Sequence, residues 1–209
     1  MRTAFLLTLG LLATHHPLAA QSAELLSRID AETADVVVPI LEEAARDSLP
    51  VDALESKVLE GMAKRVPPER IGPAVAQLAD EFRDVRGALR QRLPSEAFTD
   101  SEIVAAARAA RQGATIDALE ELWEARPDGG VLEVPVTVLG ELVRRGIPLD
   151  EASGLMTFVV RERVPLHVAA QIPGKIDGAM GNASTPVEAL TRALRTLNIP
   201  DPPGRRPGG

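Results

Sequence analysis

Cysteine is absent from all 209 residues, and so is tyrosine. Without a thiol the chain can form no disulfide. It can offer no thiolate nucleophile, no cysteine-based zinc site and no iron–sulfur ligand. Aromatic residues make up 2 % of the sequence. Four rings lie beyond the first twenty residues: Phe82, Phe98, Trp123 and Phe158. Each stands among apolar neighbours, which predicts core rather than a stacking platform for bases or sugars. Lysine is scarce as well, with Arg outnumbering Lys 20 to 3. That ratio reads as the codon bias of a GC-rich bacterial genome. The net charge is −7. An acidic chain repels phosphate backbones, so no nucleic-acid partner is expected.

A long apolar run is missing too. The longest spans Ala4–Ala13, 10 residues, where a membrane-spanning helix needs about 20. Arg2 precedes this run, and Thr14-His15-His16-Pro17 and Leu18-Ala19-Ala20 follow it. Together these have the layout of a cleavable secretory signal over residues 1–20, with cleavage between Ala20 and Gln21. Small side chains at Ala19 and Ala20 suit the peptidase, and Pro17 ends the helical part. The expectation is a chain exported to the periplasm or beyond the cell, with no transmembrane segment after signal removal. Cleavage would also remove Arg2, His15 and His16. His167 would remain as the sole histidine, and the net charge would move from −7 to about −8.

What is abundant is helix-forming: Ala, Leu, Glu and Arg. Ile71, Val75, Leu78, Phe82, Val85 and Leu89 step by three and four, as do Val51, Leu54, Val58 and Met62, and again Val187, Leu190, Leu194 and Leu197. Each set predicts one apolar helix face. Helix starts share a pattern of an apolar residue, then Pro or Thr, then an acid. It occurs at Leu49-Pro50-Val51-Asp52, Val66-Pro67-Pro68-Glu69, Leu93-Pro94-Ser95-Glu96, Ala114-Thr115-Ile116-Asp117, Ile147-Pro148-Leu149-Asp150 and Thr185-Pro186-Val187-Glu188. Proline loses no intrahelical bond there, and the acid meets the positive end of the helix dipole. Gly113 and Gly146 are placed to close helices.

These starts expose an internal duplication. Pro50, Asp52, Arg65, Val66 and Pro67 match Pro148, Asp150, Arg163, Val164 and Pro165 at a constant offset, so 50–71 and 148–169 each predict a helix, an Arg-Val-Pro turn and a second helix. The expected fold is all-α, with stacked αα-hairpins in an irregular helical bundle or short array of about eight or nine helices. The helical domain spans 21–198, with expected helices over 22–47 (kinked at Pro39), 50–64, 67–91, 95–112, 115–126, 133–145, 148–162, 165–172 and 186–198. Residues 173–185 are expected to form a glycine-rich loop. The tail over 199–209 is expected to be a disordered Pro/Gly/Arg segment.

Candidate chemistry is thin. His167 has no carboxylate pair beside it for a zinc site. The acids Glu42-Glu43, Asp80-Glu81-Asp84 and Glu120-Glu121-Glu124 alternate with arginines such as Arg83 and Arg86, the pattern of a solvated helix face. The stripe Arg83, Arg86, Arg90 and Arg92 reads as the polar border of a long helix. The run Gly174–Gly181 lacks phosphate-loop spacing, and GxSxG and HExxH are absent. No catalytic, cofactor or metal residue is assigned and no cofactor is expected. The reading is a non-enzymatic envelope or secreted protein-interaction module whose partner is another envelope protein. The alternatives are an enzyme with a carboxylate/arginine site assembled by the fold, or a carrier of lipid or another small molecule.

Overall fold

A computed structural model describes Leu25, residues 27–127, residues 130–200 and Pro202. The helices are α1 Ala31–Arg46, α2 Val51–Ala63, α3 Pro68–Arg92, α4 Asp100–Arg111, α5 Ile116–Glu124, α6 Glu133–Arg144, α7 Leu149–Arg161, α8 Leu166–Ala169, α9 Ile172–Met180 and α10 Pro186–Thr196. The fold is an all-α bundle, and α8 is only 4 residues long. Among the described residues there is no strand. The signal-like residues 1–20, the Ala20–Gln21 bond and the tail beyond Pro202 lie outside the described residues.

One turn recurs through the bundle. Ser48, Arg65, Gly113, Gly146, Arg163 and Asn198 all take positive φ, between 52° and 104°. Each follows a helix and precedes an apolar residue: Leu49, Val66, Ala114, Ile147, Val164 or Ile199. The N–H of that apolar residue reaches back five residues to a helix carbonyl, as Val66 to Gly61 at 3.0 Å and Val164 to Val159 at 3.0 Å. This is the Schellman closure, in which the left-handed residue satisfies carbonyls the helix leaves open. Pro or Thr comes next every time. Pro50, Pro67, Pro148 and Pro165 stand at the N-cap of the following helix, as does Thr115. Thr115 caps with its side chain, whereas the prolines fix the chain direction.

The predicted apolar faces point inward. Ile71, Val75, Phe82, Val85 and Leu89 of α3 are buried, with Leu54 and Val58 of α2 and Leu190 and Leu194 of α10. Together with α1 and α4–α7 they join one continuous core. The most extensive helix contacts are α4 with α6, α9 with α10, and α1 with α3. Helices α4 and α6 approach closely because Gly140 faces Ala109, whose Cα would lie 2.8 Å from a Cβ added at 140.

Three expectations need correction. The helix expected at 95–112 begins instead at Asp100. Thr99 and Glu102 form a reciprocal capping box there, which satisfies two end donors at once, and Leu93-Pro94-Ser95-Glu96 is left as a turn. The helix expected at 165–172 ends after one turn, at Ala169. The glycine-rich loop expected over 173–185 is largely helix α9. Each glycine in a helix costs about 1 kcal/mol, but Ile172 and Ile176, one turn apart, are fully buried. Gly174, Gly178 and Gly181 face open space. Burial of the isoleucine pair against neighbouring helices outweighs the weak propensity.

Candidate functional site

The first wall of the site is the segment after α5. Arg126 pairs with Glu96 and reaches Glu102 Oε1 at 3.6 Å. Glu102 is 1 % exposed. Its carboxylate accepts from the Thr99 N–H at 3.0 Å and from the Leu132 N–H at 3.1 Å. One buried anion thus ties together the start of α4, the turn at 93–99 and the start of α6. A buried carboxylate is tolerable only with such a set of donors and a cation. Trp123 packs edge-on against Phe98, with ring centroids 5.6 Å apart. This anchoring sets Leu132 inward and leaves Val131 53 % exposed.

The second wall is the end of α7 and the turn after it. Val159 and Val160 are buried, Arg163 has φ 52° and Leu166 is 40 % exposed. Between the walls lies a cleft of about 340 Å³ whose lining is apolar except for Arg163. Val131 and Leu166 both line it. Large exposed hydrophobics are few among the described residues: these two and Met180. The Arg163 guanidinium has no hydrogen bond or ion pair among the described residues.

A second cleft, of about 440 Å³, is polar. Asp52, Asp100 and Glu133 stand around it, in the first turns of α2, α4 and α6, with Arg108 on its wall. The helix dipole accounts for each acid separately. Among the described residues no group of three His, Asp or Glu side chains is arranged to hold a metal ion.

Elsewhere charge serves to join helices. Arg83 of α3 binds Asp47 at 2.9 Å and Glu43 at 3.2 Å, clamping α3 to the end of α1. Arg92 binds Asp117 and, at 2.6 Å, Glu120 of α5. The arginine stripe is therefore a set of ties between helices as much as a solvated border. Glu141 of α6 accepts from Gln112 of α4 at 3.0 Å and from Arg144 and Arg145, and Arg145 continues to Asp177 of α9 at 2.8 Å. Hydrogen bonds from Arg144, then Arg145 and Gln112, hold the Glu141 carboxyl at about 2. Asp30, Glu60, Asp177 and Glu188 are likewise displaced downward, chiefly by donation from Thr33, Lys64, Arg145 and Ser184. A general acid working near neutrality needs the opposite displacement.

Sequence reasoning assigned no site residue here. Arg163 had been noticed only as a match in the duplication, and His167 is an exposed residue of α8 beside the cleft. Glu102, Arg126 and Val131 were missed. The spacing of Thr99 and Glu102, a threonine three residues before a glutamate, could have found the buried anion. Nothing local marks Val131 and Leu166 as neighbours across a cleft. No helix among the described residues is long and apolar enough to cross a membrane. In comparisons with known proteins, no family model, curated protein or solved structure matches this chain.

Proposed function

We propose that the chain is an exported, non-enzymatic helical interaction module that docks an apolar segment of another envelope protein in the cleft between residues 130–132 and the turn at Arg163. The observation that carries this reading is the pair Val131 and Leu166, exposed on a cleft lined by apolar side chains. Exposed apolar surface grouped around a concavity marks contact sites, while scattered single residues do not. The wall is also held rigidly, since Glu102 fixes the segment leading to Leu132. A preformed cleft loses little entropy on binding. Export rests on the layout of residues 1–20, and with it the mature start at Gln21.

The polar cleft gives the enzyme reading its one specific support, because Asp52, Asp100 and Glu133 meet there beside Arg108. It ranks second because each acid already has a reason to stand at a helix start.

A photo-crosslinking residue placed at Leu166 in the full-length chain, expressed in its host, tests the docking reading. A control goes at Arg46, on an exposed part of α1. The expected result is a defined adduct from position 166 in the envelope fraction, none from position 46, and a mature protein beginning at Gln21. Equal adduct patterns from both positions would remove the docking reading. An uncleaved chain retained in the cytoplasm would remove the export reading.

A further inference from the structure

We infer that the cleft recognises the C-terminal end of a partner polypeptide, with apolar side chains in the cleft and the terminal carboxylate on Arg163. This rests on the docking reading above and specifies the partner's chemistry.

Three observations support it. The lining is apolar except for one guanidinium, so an occupant that satisfies all of it is apolar and carries one anion. That guanidinium is exposed and has no partner among the described residues. Most other arginines near helix ends are paired, as Arg83, Arg92, Arg126 and Arg145 show. A free arginine facing an apolar cleft offers a carboxylate a charge-assisted, two-pronged hydrogen bond. The position is also costly, since Arg163 holds φ 52°, where glycine serves in the same turn at Gly113 and Gly146. Strain retained beside a concavity points to use of the side chain. A polypeptide fits better than an acyl chain because Val131 and Leu166 add exposed apolar surface at the cleft. A backbone carrying side chains on both edges covers both residues, whereas a single acyl chain buried between the walls does not.

Arg65 is the internal control. It occupies the same turn with φ 56°, and it does not line the cleft.

The test uses fluorescent peptides with four randomised apolar C-terminal positions, each made with a free carboxylate and as the amide. They are titrated by anisotropy against the full chain, with palmitate as a third probe. In the best-binding sequence, the acid is expected to bind about tenfold tighter than the amide. The ratio falls to about one in Arg163→Gly and is unchanged in Arg65→Gly, and Leu166→Asp abolishes binding of both forms. Both glycine variants relieve backbone strain, so loss of fold does not confuse the reading. Equal affinity of acid and amide for the unmodified chain overturns the carboxylate inference and leaves the docking cleft standing. Failure of every peptide overturns both. Palmitate binding that depends on Arg163, without peptide binding, overturns the polypeptide in favour of a lipid.

Discussion

The turns at Lys64–Pro67 and Glu162–Pro165 are near copies in conformation and opposites in setting. Each ends a helix of 13 residues. Each has an arginine at φ 56° or 52°, then a valine whose N–H returns to a helix carbonyl at 3.0 Å, then a proline that caps the next helix. The helices that follow differ. After Pro67 the chain continues for 25 residues as α3, against α1, α2 and α4. After Pro165 the helix ends within 4 residues and turns into α9. A short α8 leaves Leu166 beside a cleft. Identical local geometry therefore yields a covered turn in one place and a candidate docking surface in the other. What the chain does next makes the difference.

Four perturbations would break or sharpen this contrast. The largest effect is expected from Glu102→Ala, which leaves Arg126 and the N–H groups of Thr99 and Leu132 without their acceptor. A loss of about 3 kcal/mol is expected, read by urea unfolding with Trp123 fluorescence. Only the second turn should lose hydrogen-exchange protection early, because the wall that Glu102 anchors faces that turn and not the first.

Next comes a pair of glycine substitutions, one in each half. At Gly140 an added Cβ meets the Ala109 backbone at 2.8 Å, so α4 and α6 must separate. At Gly72 it meets only the side chain of Val36, which can turn aside. Gly140→Ala is expected to cost about 2 kcal/mol and Gly72→Ala about 1 kcal/mol or less, after the gain in helix propensity. Equal costs would show that the two halves are equally yielding.

The third is a pH dependence confined to the second half. Glutamate titrates near 4.5 when unperturbed, and Glu141 in the fold at about 2. Folding therefore favours the ionised form. Its contribution is complete above about pH 4.5 and is lost as pH falls towards 2, on the order of 1 kcal/mol. Glu141→Gln should flatten this slope in thermal unfolding between pH 5 and 2, and the melting temperature near neutrality should fall.

The smallest effect is the most direct on the two turns. Arg65→Gly and Arg163→Gly should each stabilise by about 0.5 kcal/mol, the relief of left-handed strain less the added freedom of the unfolded chain. Equal thermal shifts would confirm that the turns are mechanically alike and differ only in what they face. A loss of stability in Arg163→Gly alone would assign that side chain a structural contact instead.

Much of this architecture was legible from residue order. The α3 face over Ile71–Leu89 and the glycine closures at Gly113 and Gly146 follow from spacing and backbone freedom. The misread regions share a cause. Leu93-Pro94-Ser95-Glu96 had the right local pattern for a helix start, yet the Thr99–Glu102 capping box starts the helix five residues later. The glycines of α9 argued for a loop, and two isoleucines with a core to enter made it a helix. Local preference differs by about 1 kcal/mol per residue, and burial of one large side chain exceeds that.

The sequence by itself determined the helical class, the recurrent left-handed turn with its proline and the exclusion of cysteine chemistry, because these depend on backbone sterics and side-chain inventory within a few residues. Only the tertiary structure decided that Glu102 is a buried tie between segments 30 residues apart. It alone placed Val131 across a cleft from Leu166, and it left Arg163 free where Arg145 is paired. Such pairings depend on how helices cross, which is settled by the fit of whole faces and is not carried by any short run of residues.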